Sequence, residues 1–279
     1  MWDVILDTLL DTVKLIPFLL VTYLAMEYLE HKTGQKAQGL VRKAGRLGPV
    51  IGGALGVVPQ CGFSAAASGL YAGRVITLGT LLAIYLSTSD EMLPILISEQ
   101  APAGTIALIL LAKAAIGMIV GFVIDLVFSS RREEGHHIHE ICEQGHCHCG
   151  EGSIFRSALV HTVQISGFIL IITFLLNLLF FLVGEDVLAG LILNRKVLGP
   201  VLAGLVGLIP NCAGSVAITQ LYMEGVIGTG AMLSGLLTGT GVGLLVLFRV
   251  NHDRKENLMI LGLLYCIGVL VGIVVGLMV

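Results

Sequence analysis

Three groups of residues carry side chains capable of chemistry. The densest is GHHIHEICEQGHCHCGEG, where His136, His137, His139, Cys142, His146, Cys147, His148 and Cys149 fall within fourteen residues. Imidazole and thiolate together suit Zn2+, Cu(I), Co2+ or Ni2+, and clustered thiols also suit a trivalent metalloid. Cys-His-Cys over three consecutive residues is not the spacing of a rigid structural finger. A flexible loop that collects or senses metal is expected instead, and it need not hold the same ion as the rest of the chain.

The second group is a pair of Pro-polar-Cys triplets, Pro59-Gln60-Cys61 and Pro210-Asn211-Cys212, each followed three residues after the cysteine by a serine, Ser64 or Ser215. A helix starting just after each cysteine would favour an anion or lower the thiol pKa. The same small residues also permit close helix packing, so that reading stays open. The third group is YLSTSDEMLPIL, where Ser87, Thr88, Ser89, Asp90 and Glu91 interrupt an apolar stretch and Pro94 weakens the helix after them. An ionisable residue deep in an apolar span is costly and marks a candidate functional site. The alternative is that both acids face water near a helix end.

The elements that position these groups follow from composition and from a repeat. The chain has 56% hydrophobic and 13% charged residues, about half the charge of an ordinary soluble domain. Its charges cluster between long apolar runs, so lipid rather than water is the expected solvent. A net charge of −3 with no basic patch excludes a nucleic-acid partner. The opening MWDVILDTLLDTVKLIPFLL lacks a basic stretch and a small-residue cleavage site, and reads as a retained membrane segment.

Residues 48–96 align without a gap onto 199–247 with 18 identities in 49. The matches include Gly48 with Gly199, Pro59 with Pro210, Cys61 with Cys212, Ser64 with Ser215 and Tyr71 with Tyr222. Similarity extends to DTVKLIPFLL against HTVQISGFIL and to AIGMIVGFVIDL against CIGVLVGIVVGL. The expected organisation is a first transmembrane repeat over 1–128, a His/Cys-rich connector over 129–152 and a second repeat over 153–279.

A bilayer core of about 30 Å needs roughly 20 helical residues. Residues 10–30, 75–97 and 105–128 satisfy that, as do 156–182, 226–248 and 258–278. Segments 48–73 and 199–224 do not: each has about ten apolar residues on either side of its Pro-polar-Cys triplet, enough for about half the core. They read as hairpins with polar tips near the midplane, or as two short spans each; either way the chain returns to the side it entered. Each half then crosses an odd number of times, and the second must be inverted. Lys and Arg agree, with 12 on one face against 2 on the other. Both termini are then outside and the connector is cytoplasmic. The expected fold is an all-α polytopic membrane protein of two inverted-topology repeats. Each has three long transmembrane helices plus a broken hairpin, about ten spans if hairpins count as two.

Broken helices at the midplane of inverted repeats form substrate sites in transporters. That reading sets Gln60, Cys61 and Ser64 opposite Asn211, Cys212 and Ser215, with Ser87, Ser89, Asp90 and Glu91 nearby. In the second half Thr238 and Thr240 persist, while Gly241 and Val242 stand where the acids were. Charge confined to one half suits a site for one cation. Weaker candidates for proton coupling are Asp11 and His161, at corresponding places, and Lys113, inside a span where it would neutralise a buried acid; Asp11 and His161 also fit interfacial side chains. Cys266 has no polar neighbour and reads as packing.

With these two hairpins, the LDTVKLIPFLLVTYLAMEYLEHK start and the STSDEMLPIL island, the chain resembles the ten-transmembrane heavy-metal exporter family, whose members are labelled arsenic efflux proteins or manganese transporters. The resemblance implies metal or metalloid export across a bacterial inner membrane and five spans per half. Thiolates favour a soft ion such as As(III), whereas the Asp, Glu, Gln and Asn oxygens favour Mn2+. No Walker loop is present, so an ion gradient is the expected energy source. No HExxH and no serine–base arrangement appears, so no enzyme and no resident cofactor are expected. The expected partners are the ion and the bilayer, and homo-oligomerisation stays open. An importer, a permease for another small ion or organic metalloid, and a metal sensor acting through the connector are the other readings.

Overall fold

A computed structural model describes residues 47–57, 61–89, 92–98, 100–128 and 197–278, with scattered positions between 13 and 24 and between 155 and 174. The regular structure among the described residues is all α-helical, without strands, as fits a polytopic membrane protein.

The first series is α1 (Gly48–Gly56), α2 (Cys61–Ala72), α3 (Leu78–Ser87), α4 (Met92–Ser98) and α5 (Ala103–Phe128). The second is α6 (Leu198–Gly207), α7 (Cys212–Met223), α8 (Thr229–Thr238), α9 (Gly243–Val250) and α10 (Arg254–Met278). Local chemistry sets these boundaries. Pro49 opens α1, where a missing N–H costs nothing. The Thr77 hydroxyl accepts from the Thr80 N–H at 3.1 Å and caps α3. Asp253 does the same for α10, accepting from the N–H groups of Lys255 and Glu256. Arg74 and Gly225 occupy equivalent turns with φ of 57° and 75°, a left-handed conformation that costs arginine more than glycine.

Ala103–Phe128, Thr229–Val250 and Arg254–Met278 are long and apolar enough to cross a bilayer. The stretches expected as continuous spans over 75–97 and 226–248 are both interrupted, however. α3 stops at Ser87 and α4 resumes at Met92; α8 stops at Thr238 and α9 resumes at Gly243. Hydroxyl side chains and glycines supply the reason, as set out below.

The packing of one series recurs in the other. α3 lies between α1 and α5, as α8 lies between α6 and α10. The hairpin arm α2 packs on α9 and the arm α7 packs on α4, each against the interrupted helix of the other series. α3 and α8 meet at the centre, where residues 79–87 and 230–238 are all buried. Their close partners touch backbone to backbone. A Cβ added to Gly121 would lie 2.5 Å from the Gly79 carbonyl oxygen, and one on Gly272 2.6 Å from that of Gly230. α5 and α10 present Leu108, Leu111, Leu126, Leu258, Leu270 and Leu277 outward, a surface suited to lipid. Cys266, expected in packing, is exposed on α10.

Candidate functional site

The two helix breaks and the hairpin arms beside them form the polar interior. At the end of α3, two of its hydroxyls bond back to its own carbonyls. Ser87 Oγ donates to the Ala83 oxygen at 2.7 Å and Thr88 Oγ1 to the Ile84 oxygen at 2.7 Å. Such back-bonding bends helices, and Thr88 turns to φ −55°, ψ 126°. Ser89 Oγ then donates to the Val57 oxygen at 2.7 Å, tying the break to the end of α1.

In the second series Thr238 Oγ1 reaches the carbonyls of Gly204, Ser234 and Gly235 at 3.0–3.1 Å. Gly239 is extended and Gly241 takes φ 53°, so glycine permits the turn. Ser64 Oγ, in the first turns of α2, donates to the Thr240 carbonyl at 2.8 Å. One turn on, Ser68 Oγ lies 2.7 Å from the carbonyls of Ser64 and Gly243 and from Tyr85 Oη. Ser68 has one proton, shared between the two carbonyls, so Tyr85 is the donor in their pair. A Cβ on Gly243 would lie 2.8 Å from Ser64 Cβ, so only glycine fits there. The Thr240 hydroxyl, in a residue 1% exposed, has no hydrogen-bond partner among the described residues.

Lys113 is buried in mid-α5. Its Nζ donates to the Thr88 oxygen at 2.5 Å and the Leu236 oxygen at 2.6 Å. The sequence reading gave it an acid to neutralise; its described partners include the ends of α3 and α8.

Of the other expected site residues, Ser64 is brought to Thr240, and Ser87, Ser89 and Thr238 line the breaks. Asn211 and Ser215 are buried at the start of α7. Cys61 and Cys212 begin α2 and α7, but their side chains lie outside the described residues. So do Gln60, Asp90, Glu91, Asp11, His161 and the connector with His136, His137, His139, Cys142, His146, Cys147, His148 and Cys149. The described residues alone contain no cluster of three or more His, Cys, Asp or Glu.

Sequence reasoning missed Ser68 and Tyr85, and a clasp at the far end of α2. Glu256 accepts from Tyr71 Oη at 2.6 Å, from Arg74 Nη1 and Nη2 at 2.7 and 2.9 Å, and from Asn251 Nδ2 at 2.9 Å. The Arg74 guanidinium also lies 5.4 Å from the Tyr71 ring centroid. Its two bonds to the Glu256 carboxylate hold it above the ordinary arginine range. The signal available was Tyr71 and Arg74 at i, i+3, which names no partner.

Residues 1–173 match the family described as "Putative, 10TM heavy-metal exporter". No curated protein and no solved structure matches the chain.

Proposed function

The chain belongs to the ten-transmembrane heavy-metal exporter family, and from that premise we propose that it is a secondary transporter exporting a metal cation or metalloid, of the Mn2+ or As(III) kind, by alternating access. The observation that carries this reading is the pair of interrupted helices, α3/α4 and α8/α9, whose breaks are buried against the hairpin arms. Unwound backbone inside an apolar bundle is tolerated where it lines a site, and it offers carbonyl and hydroxyl oxygens to a cation.

Inversion of the two halves is part of the proposal. Its support is the recurrence of each packing, with α2 on α9 and α7 on α4, together with the Lys and Arg bias. This proposal would set Gln60, Cys61, Ser64, Ser87, Ser89, Asp90 and Glu91 from the first half opposite Asn211, Cys212, Ser215, Thr238 and Thr240 from the second. Protons moving through Asp90 or Glu91, with Asp11 and His161 as further carriers, would couple export to the gradient. The cytoplasmic connector would collect or sense the metal. Bacterial inner-membrane residence with both termini outside completes the proposal.

The test is uptake of Mn2+, Zn2+ and As(III) into inside-out vesicles by wild type, Cys61→Ser/Cys212→Ser and Asp90→Asn. Loss of As(III) uptake on thiol removal supports a soft ion. Intact transport without the thiols, with loss in Asp90→Asn, rules the soft ion out. If neither change matters, the site is wrongly assigned. Deletion of 136–149 is expected to change apparent affinity or regulation and to spare basal transport.

A further inference from the structure

Ser64, Ser68, Tyr71 and Arg74 follow one another at steps of four, three and three, the spacing of one helix face. Each bonds to the second half. Ser64 Oγ donates to the Thr240 carbonyl, Ser68 Oγ to the Gly243 carbonyl, and Tyr71 and Arg74 to the Glu256 carboxylate. The bonds run in order from the break between α8 and α9, along α2, to the first turn of α10. Ser64, Ser68 and Tyr71 are 0%, 0% and 3% exposed, so the seam is shut. At its inner end lies the Thr240 hydroxyl, without a partner among the described residues.

Ala67, Leu244 and Leu247 belong to the apolar core beside this stripe, and apolar packing of that kind can hold a helix arm without hydroxyls. The polar bonds differ in how they part. Each exchanges its partner for water at small net cost, whereas separated apolar faces stay bare. A seam bonded in this way opens as a wetted cleft. The repeat positions on α7 keep Ser215, Thr219 and Tyr222, but Gly225 stands for Arg74 and Thr105 for Glu256. The ion pair therefore has no counterpart at the repeat positions.

From this geometry we infer that the seam between α2 and α9 is the cytoplasmic path of the exported ion to the central breaks, with the Glu256 clasp as its outer gate. The inference rests on the transport function and orientation proposed above. Opening would part Glu256 from Tyr71 and Arg74 first. The stripe of hydroxyls and carbonyls would then line the way inward to Thr240.

The test uses inside-out vesicles, whose cytoplasmic face meets the bath. Ser68→Cys places a thiol in the seam, and Thr219→Cys places one at the repeat position on α7, where the residue is also 0% exposed. A membrane-impermeant maleimide would be added with and without Glu256→Gln, and modification of residues 68 and 219 read by peptide mass spectrometry. Labelling of residue 68 should rise about tenfold in Glu256→Gln, the population shift expected from losing one charge-assisted contact. Labelling of residue 219 should stay level or fall. In the same vesicles KM for whichever of Mn2+, Zn2+ and As(III) is transported should fall several-fold, because more protein is open to the bath.

Unchanged labelling of residue 68 overturns the inference, and so does an equal rise at 68 and 219, which marks a loosened fold. Unchanged KM with lower maximal uptake makes the clasp structural and also refutes the path. Should Glu256→Gln not fold, Arg74→Gln, which keeps the Tyr71 bond, is judged by the same readings. If wild type carries none of the three ions, the transport reading fails, while the labelling still decides whether the seam opens.

Discussion

Replacing Glu256 by alanine removes the acceptor that four donors share, and the cost can be apportioned from the surroundings of each donor. Tyr71 is 3% exposed, so its hydroxyl would lose its carboxylate partner away from water. A buried donor left unsatisfied costs about 1–3 kcal/mol. The Asn251 amide loses one of two acceptors and keeps Asn257 Oδ1, a smaller loss. The Arg74 side chain is 39% exposed and regains water, so the ion pair itself is worth about 1 kcal/mol or less. The expected total for Glu256→Ala is about 3 kcal/mol, against about 1 kcal/mol for Arg74→Ala. At about 2–4 °C per kcal/mol, the melting temperature in detergent should fall by about 10 °C and 3 °C respectively.

Two further variants sharpen the comparison. Glu256→Gln keeps an oxygen for Tyr71 and should cost about 1 kcal/mol. Arg74→Gly relieves the left-handed backbone and should melt above Arg74→Ala, as the glycine at equivalent position 225 suggests. Raising NaCl to 1 M should close only the Arg74 part of the difference. If Arg74→Ala is as damaging as Glu256→Ala, the clasp is an ion pair first and the apportioning above is wrong.

Two other outcomes are expected. Gly121→Ala and Gly272→Ala would drive a methyl to within 2.6 Å of a backbone oxygen, so both should lose about 2 kcal/mol or more in thermal melts, whereas Gly104→Ala and Gly262→Ala, with nothing within 4 Å, should match or exceed wild type. Thr240→Val removes a buried hydroxyl without a partner among the described residues and should leave the melting temperature unchanged or raised, while vesicle uptake falls if that hydroxyl serves the substrate; a destabilised Thr240→Val would mean the hydroxyl is bonded within the fold.

The repeat was legible because Pro59, Cys61, Pro210 and Cys212 are too rare in apolar sequence to align by accident, and hydropathy alone identified α5 and α10. The interruptions were not legible from hydropathy. A window over 75–97 or 226–248 sees enough apolar residues for a span, whereas the break is decided by three or four side chains. Ser87 and Thr88 compete for helix carbonyls, and Gly239 and Gly241 permit extended and left-handed backbone. The GTGVG string carried that signal, although the same glycines also suit helix contacts. Lys113 was legible as costly but not in its contacts with Thr88 and Leu236, because backbone carbonyls leave no trace in residue identity. Likewise, Glu256 lies too far in sequence from Tyr71 and Arg74 for spacing to pair it with them.

Comparing the two breaks position by position sharpens the case for one cation. Ser89 and Thr240 are equivalent, yet Ser89 spends its hydroxyl on Val57 while the Thr240 hydroxyl has no partner among the described residues. Thr240 instead offers its carbonyl to Ser64 of the other series. The acids Asp90 and Glu91 and the base Lys113 all belong to the first half, and the second half has Gly241, Val242 and Leu264 at the repeat positions. A duplicated site for two identical ions would keep such groups in both halves. Charge concentrated in one half, with a spare hydroxyl in the other, would suit the proposed single site between them: the charged half would set the electrostatics, and the neutral half would supply ligands without adding repulsion. Moving the acid across by Asp90→Gly/Gly241→Asp would transfer the carboxylate to the half that lacks it, so uptake should fall even though the number of carboxylates is conserved. Full activity in that swap would show that the halves are interchangeable and that the asymmetry is not functional.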